Sequence, residues 1–401
     1  MKEDRNMEKI IYLDNAATTR VYPEVKELMI KLLEDDYGNP SSLHMKGVEA
    51  EKYIKEATKQ IATELKCQEK EIVFTSGGTE ANNFALIGGA MAHRRAGKHI
   101  ITTNIEHASV SATLEFLVKE GYEVTFVGVD EKGIINLDEL KSSLREDTIL
   151  VSVMYVNNIV GTIQPIKQIV EIAHKHGVLV HTDCVQAMPY MRIDVKDLGV
   201  DLLTFSAHKF YGPKGVGALY IRNGIRIDKL IGGGGQERSQ RGGTTNTPAI
   251  VGMAKALQIT VDEMEQNNKY IESLRDHFVQ RVLNEIPYVR QNGDLTRSIP
   301  SIANFSFEFV EGEGILMFLD LNGIAASSGS ACSSGSLEPE HVLLAMGVPI
   351  EVSHGTIRFS FGKHNTMEEV DYTVDKLVNI IAKLREMSPL FNLKDGGTYN
   401  V

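Results

Sequence analysis

From about residue 70 to 222, short β-rich runs alternate with stretches of helical character, and this alternation restricts the fold more than any other feature of the chain. The runs are EIVFTS, HIITTNIE, YEVTFVGV, TILVSVMYV, GVLVHTD, VDLLTFS and GVGALYI. Amphipathic segments such as Glu80 to Arg95 and Ile166 to His176 lie between several of them. Strand and helix in alternation imply an α/β unit, a mostly parallel sheet with helices on both faces. Ligands in such sheets gather at the carboxyl ends of the strands. Polar residues stand there repeatedly: Thr75-Ser76-Gly77-Gly78-Thr79, Glu106-His107, Asn157-Asn158, Asp183 and Ser206-Ala207-His208-Lys209.

Beyond this region, IGGGGQERSQRGGTT (231–245) is a glycine-dense loop, and a helical segment is expected from Pro248 to about Val289. Residues 290–401 mix strands (SIANFSFEF, GTIRFSFG) with helices (Gly312 to Leu321, Met367 to Met387), as in a compact α+β unit. The 401 residues suffice for a large and a smaller unit, each with its own core. We expect the large one over 21–260, with 1–20 and 261–401 forming the small one. Net charge is −11 with acids and bases interspersed, which argues against nucleic acid or a membrane surface as partner. No apolar run reaches the roughly 20 residues of a membrane helix, and the charged opening MKEDRNMEKI does not read as an export signal. Three widely spaced cysteines, Cys67, Cys184 and Cys332, make no disulfide framework, so a cytoplasmic setting is expected.

Each candidate residue has a plain structural reading beside a chemical one. SGGTEANN (76–83) is either an ordinary strand-to-helix turn capped by Thr79 or a set of backbone N–H groups suited to a phosphate. Asp183 is either a cap or an acid able to hold a pyridinium proton. Lys209 is either a surface charge or an imine-forming amine, and a phosphate cup, an acid and a lysine are the three parts of a pyridoxal site. His107 is either a core histidine or a ring-stacking proton shuttle. Arg358 is either a strand-surface charge or a clamp on a substrate carboxylate. Cys332 sits among small residues in SSGSACSSGSLEP (327–339), which favours an accessible, mobile thiol. Cys67 reads as structural or incidental, and Cys184 as a packed thiol.

Read together, the segments YLDNAATT (12–19), GNPSSLH (38–44), FTSGGTEANN (74–83), HKFYGPKGVGALY (208–220), GGGQERSQRGGT (233–244), GSACSSGSLEP (329–339) and IRFSFGKHNTMEEVDYTVDKL (357–377) closely resemble the cysteine desulfurases of the NifS/IscS type. These belong among the class V aminotransferases, fold type I pyridoxal-phosphate enzymes. The resemblance implies a seven-stranded, mostly parallel sheet between helices, plus a smaller α+β domain. It also implies conversion of L-cysteine to L-alanine with pyridoxal 5′-phosphate as cofactor, a persulfide on Cys332, and transfer of that sulfur to an iron–sulfur scaffold or a sulfurtransferase. Lys209 then carries the cofactor, Asp183 pairs with its ring nitrogen and His107 stacks on the ring. Gln186 and Asn158 bond around the phenolic oxygen and the substrate. Gly78, Thr79, Ser206 and His208 hold the phosphate, with Thr244 from the partner of a homodimer. Asn15, Ala16 and Arg358 hold the substrate carboxylate. No resident metal is implied, with transient iron–sulfur ligation by Cys332 as the one metal role. The long form of the segment between Cys332 and Arg358 resembles the IscS-like group.

Two positions depart from the family pattern. Ile159 follows the paired asparagines where glutamate is usual, and Cys184 follows Asp183 where alanine is usual. A selenocysteine lyase or desulfinase, and an aminotransferase on the same fold, are the competing activities; dependence on Cys332 separates them.

Overall fold

The computed structural model describes residues 10–328, 341–389 and 391. Among them the seven apolar runs become the strands of one sheet: β2 (Ile72–Thr75), β3 (His99–Thr103), β4 (Glu123–Val127), β5 (Thr148–Ser152), β6 (Leu179–Asp183), β7 (Leu202–Ser206) and β8 (Gly217–Ile221), after a short β1 (Ile11–Tyr12). The spatial order is β2-β8-β7-β6-β5-β3-β4. All are parallel except β8, which runs antiparallel between β2 and β7. Parallel strands need crossover helices, which cover both faces, so β3, β5, β6 and β7 read as near-continuous apolar runs.

A polar row fixes the register beneath the strand ends. His181 on β6 reaches Ser152 Oγ on β5 at 2.8 Å through Nδ1 and Thr204 Oγ1 on β7 at 3.1 Å through Nε2. Burial lowers its pKa to about 3, so the ring stays neutral and serves as a cross-strand strut.

The expected helix past the glycine-dense loop runs Thr247–Glu285 and is capped by Asn246, whose side chain accepts from the Ala249 N–H. Its end comes four residues earlier than the pattern suggests, because Val289 begins β9 (Val289–Asn292). This helix serves both parts of the chain. Near its start Gly252 packs against Val25 and Met29 of the helix Pro23–Glu34. Further along, the Phe278 ring lies 4.7 Å from that of Phe359 and 6.1 Å from that of Phe305. Those two rings belong to β12 (Thr356–Ser360) and β10 (Ile302–Phe307), which with β9 form an antiparallel sheet in the order β12-β10-β9. A last strand, β11 (Ile324–Ala325), pairs in parallel with β1, so the amino-terminal residues belong to this smaller assembly. The closing helix Met367–Glu386 begins with a reciprocal cap between Thr366 and Glu369. Among the described residues no helix is long and apolar enough to cross a membrane.

Candidate active site

The carboxyl ends of β2, β3, β5, β6 and β7 open into a cavity of about 340 Å³. Ala16, Gly78, Thr79, His107, Asn158, Asp183, Gln186, Ser206, His208, Lys209 and Arg358 all line it, so most residues singled out in the sequence meet in one place. Lys209 and Asp183 come from adjacent strand ends, β7 and β6. The Lys209 Nζ donates to the carbonyls of Ala16 and, at 2.9 Å, Ala17. These acceptors hold the amine at the seam between the sheet and the amino-terminal segment.

Asp183 is 6% exposed and fixed from two sides. Asn82 Nδ2 donates to Oδ2 at 2.7 Å and the Val185 N–H to Oδ1 at 2.8 Å, so the carboxylate is oriented before any ligand arrives. Asn82 was not among the residues singled out. It lies one helical turn after Gly78, in the paired asparagines of SGGTEANN, and that spacing was the available signal.

His107 caps the helix Ala108–Lys119: its Nδ1 accepts from the Ser109 N–H at 3.1 Å and lies 2.8 Å from Ser109 Oγ. An Nδ1 that accepts from a backbone N–H leaves the proton of the neutral ring on Nε2. Just before it, Glu106 is buried and accepts from Thr103 Oγ1 at 2.6 Å and the Met154 N–H at 3.0 Å. Burial raises its pKa to about 8, with the nearby Asp183 charge adding to the rise. The sequence showed Glu106 only as one more polar residue past a strand; its burial depends on β5, which is distant in the chain.

The turn from β2 into the helix that opens at Gly78 depends on glycine twice. Gly77 has φ 154° and ψ −177°, a conformation essentially confined to glycine. A Cβ on Gly78 would lie 2.9 Å from Val185 Cγ2. The N–H groups of a first helical turn have no partner inside the helix, and Gly78 and Thr79 both border the cavity. On the facing side, Ser206 Oγ is buried with no hydrogen-bond partner among the described residues, as are Gln186 Oε1, Asn82 Oδ1 and Arg358 Nε. Four orphaned polar atoms around one cavity call for a polar ligand of matching shape, because buried polar groups are otherwise paired. A phosphorylated aromatic ring fits: an anion at the helix start, a basic ring nitrogen at the carboxylate, a carbonyl carbon near the amine. Burial, with Lys209 and Lys214 nearby, lowers the His208 pKa to about 4, so this ring is neutral near neutral pH.

Arg358 is 5% exposed on β12. Its Nη2 binds Asp14 Oδ1 at 2.9 Å and its Nη1 the Asn158 carbonyl at 2.9 Å. Asn15 is not among the residues lining the cavity; its Nδ2 donates to the Ser360 carbonyl at 2.9 Å. Thr244 borders a separate cavity beside Ser76 and Arg241. Of the two other cysteines, Cys184 is fully buried, and burial raises the Cys67 thiol to about 12, so neither is a ready nucleophile. Cys332 lies outside the described residues.

Comparison with known proteins agrees with this geometry. Residues 11–373 match the model of the aminotransferase class-V family. The chain is 48% identical over 387 residues to the cysteine desulfurase IscS of Clostridium botulinum, covering 96% of this chain and 98% of that one. It is 49% identical over 382 residues to the cysteine desulfurase IscS of Methanosarcina thermophila, covering 95% and 94%. A solved NifS-like protein superimposes with a TM-score of 0.88 at 41% identity, over 94% of this chain and all of that one. Sheet order, cavity and kinship converge, and the chain belongs to the aminotransferase class-V family, among the cysteine desulfurases of the IscS and NifS type.

Proposed function

We propose that this protein removes sulfur from L-cysteine to leave L-alanine, with Lys209, Asp183, His107 and Cys332 as the reacting and positioning groups. As a member of its family it is a pyridoxal-phosphate enzyme. The bound cofactor supplies an electron sink for the charge that develops at the substrate Cα. Lys209 would carry the cofactor and, once displaced by the substrate amine, take the Cα proton on Nζ. Asp183 would keep the ring nitrogen protonated, its charge held in place by Asn82 and Val185. His107 would stack on the ring and hold a proton at Nε2, with Gln186 and Asn158 bonding around the phenolic oxygen. Gly78, Thr79, Ser206 and His208 would hold the phosphate. Arg358 and Ala16 would orient the substrate carboxylate, and Asn15, its amide bonded to the Ser360 carbonyl, would act only by fixing the backbone beside Ala16.

Cys332, as thiolate, would take the substrate sulfur: the C–S bond breaks, an S–S bond forms, and Cβ gains a proton to give alanine. Chain connectivity supports its reach. The Arg358 N–H bonds the Ser327 carbonyl at 2.6 Å, so the segment bearing Cys332 departs from beside the arginine. Cys332 is four residues past Ser328, and so short a chain spans at most about 14 Å. The persulfide would pass to an iron–sulfur scaffold or a sulfurtransferase.

A homodimer is supported by two features. Thr244 lies outside the cavity, and Tyr37, Leu43, Met45 and Val48 form an exposed apolar stretch around GNPSSLH. A cytoplasmic location and a division into 21–260 and 1–20 with 261–401 complete the reading; that boundary falls inside the helix Thr247–Glu285.

The observation that carries the proposal is the convergence of an amine, a pre-oriented carboxylate and a guanidinium on one cavity with orphaned polar atoms. Its test is Cys332→Ala. Alanine and sulfide release from L-cysteine should cease while the cofactor absorbance persists; alanine formation at the wild-type rate would overturn the assignment.

A further inference from the structure

The turn after Asn158 carries the departure from the family pattern, and its surroundings give Ile159 a task. Asn157 Oδ1 accepts from the N–H groups of Ile159 and Val160, at 2.9 and 3.0 Å, and this closes the turn. Both side chains are buried, 3% and 2% exposed. With Ile105, just past β3, and Met154, just past β5, they form one half of a separate apolar cluster. The other half is Val342, Leu343, Met346 and Val348, in and just after the helix His341–Ala345. Gly133, at φ 78°, leaves room there: Met346 Sδ, Thr162 Oγ1 and Val160 Cγ2 lie 3.4 to 3.6 Å from where its Cβ would stand. One polar contact reinforces the dock, since His341 Nε2 donates to the Glu106 carbonyl at 3.0 Å.

The same turn also touches the small assembly. Asn304 Nδ2 donates to the Ile159 carbonyl at 3.2 Å, and Arg358 Nη1 to the Asn158 carbonyl at 2.9 Å. It therefore joins the strand ends carrying His107 and Asn158 to the first described helix after Cys332, which starts nine residues beyond that cysteine.

We propose that Ile159 and Val160 are positioning residues for sulfur transfer: they anchor the helix His341–Ala345, the first described helix after Cys332, against the strand ends that carry His107 and Asn158. The upstream tether is the pairing of Ser327 with Arg358. A thiol on a short span between two anchors has a higher effective concentration than one on a longer span, and with the helix undocked the downstream anchor recedes to β12 at Thr356. Glutamate at 159 would set a charge among apolar side chains, which favours the undocked helix. The inference rests on Cys332 being the sulfur acceptor.

The test compares Ile159→Glu and Ile159→Val with the wild type as full-length holoenzymes, using three readouts. These are amide exchange at residues 341–345, the L-cysteine concentration giving half-maximal change in cofactor absorbance, and the single-turnover rate of persulfide formation on Cys332. In Ile159→Glu, exchange should accelerate and persulfide formation slow, each by about tenfold or more, while the half-maximal concentration stays within about twofold. Ile159→Val should match the wild type in all three. Met346→Ala, on the opposite side of the cluster, should reproduce the pattern more weakly and serves if Ile159→Glu does not fold. Unchanged exchange, persulfide formation at the wild-type rate despite faster exchange, or a parallel loss of L-cysteine binding would each overturn the inference. A wild type that forms no persulfide on Cys332 would instead sink the functional reading, with amide exchange still reporting the dock.

Discussion

The two walls of the cavity are built on different principles. On the sheet side, each functional group has a support in its immediate sequence neighbourhood, with Asn82 and the Ala16 and Ala17 carbonyls added from farther away: Asp183 has Val185, His107 has Ser109, and Lys209 has the short turn that follows β7. On the opposite wall, Arg358 is held by Asp14 and Asn158, which are 344 and 200 residues away in the chain. The first wall is placed largely by the strand ends themselves. The second exists only when three distant segments meet, and it carries the guanidinium proposed to select the substrate. The contrast assigns chemistry to the locally built wall and recognition to the assembled one.

That assignment can be broken by comparing kcat with KM. Asp183→Asn should produce the largest effect, lowering kcat by about 10²–10³-fold with little change in KM, because it removes a charge needed only as electrons enter the ring. A rise in KM alone would place Asp183 with recognition and dissolve the contrast. Arg358→Lys should come next. It forfeits the planar fork toward a carboxylate, so KM for L-cysteine should rise by about 10–100-fold while kcat changes less. A fall in kcat alone would move Arg358 to the chemical wall.

Glu106→Gln should change kcat and KM least of the three, and its effect should appear instead in stability as a function of pH. Burial raises the Glu106 pKa above its ordinary value to about 8, so the folded protein holds a proton there that the unfolded chain releases. Its stability relative to the Gln variant is full below about pH 4.5 and is lost as pH rises to about 8, by up to about 5 kcal/mol. Thermal unfolding of both proteins across that range should show a gap that widens with pH and then levels. A constant gap would mean that Glu106 is ionised throughout and that the sheet-side wall carries a second fixed charge.

The same contrast explains what could be read from the chain beforehand. Six of the seven strands were legible because strands buried on both faces read as unbroken apolar runs, the half-exposed β4 was legible from its β-branched and aromatic residues, and polar residues beyond them marked the cavity. The antiparallel direction of β8 was not legible, since apolar composition is the same in either direction. Asn82 was overlooked because its partner lies 101 residues away, and Glu106 because its burial is imposed by β5. Asn15 illustrates the converse. It belongs to a motif that implies substrate contact, yet its amide is bonded within the small assembly, and only tertiary structure reveals that commitment.

The helix Thr247–Glu285 has a mechanical consequence. At 39 residues it is a rod about 58 Å long, clamped near its start by Val25 and Met29 and farther on by the Phe278 rings. Deleting a single residue between the clamps would turn everything downstream by about 100° and draw it back by about 1.5 Å. Phe278 would then swing off its aromatic seat, and Arg358 would lose alignment with Lys209 although neither residue had been touched. The rod is thus a gauge bar whose length in residues sets the gap across which a small amino acid must fit.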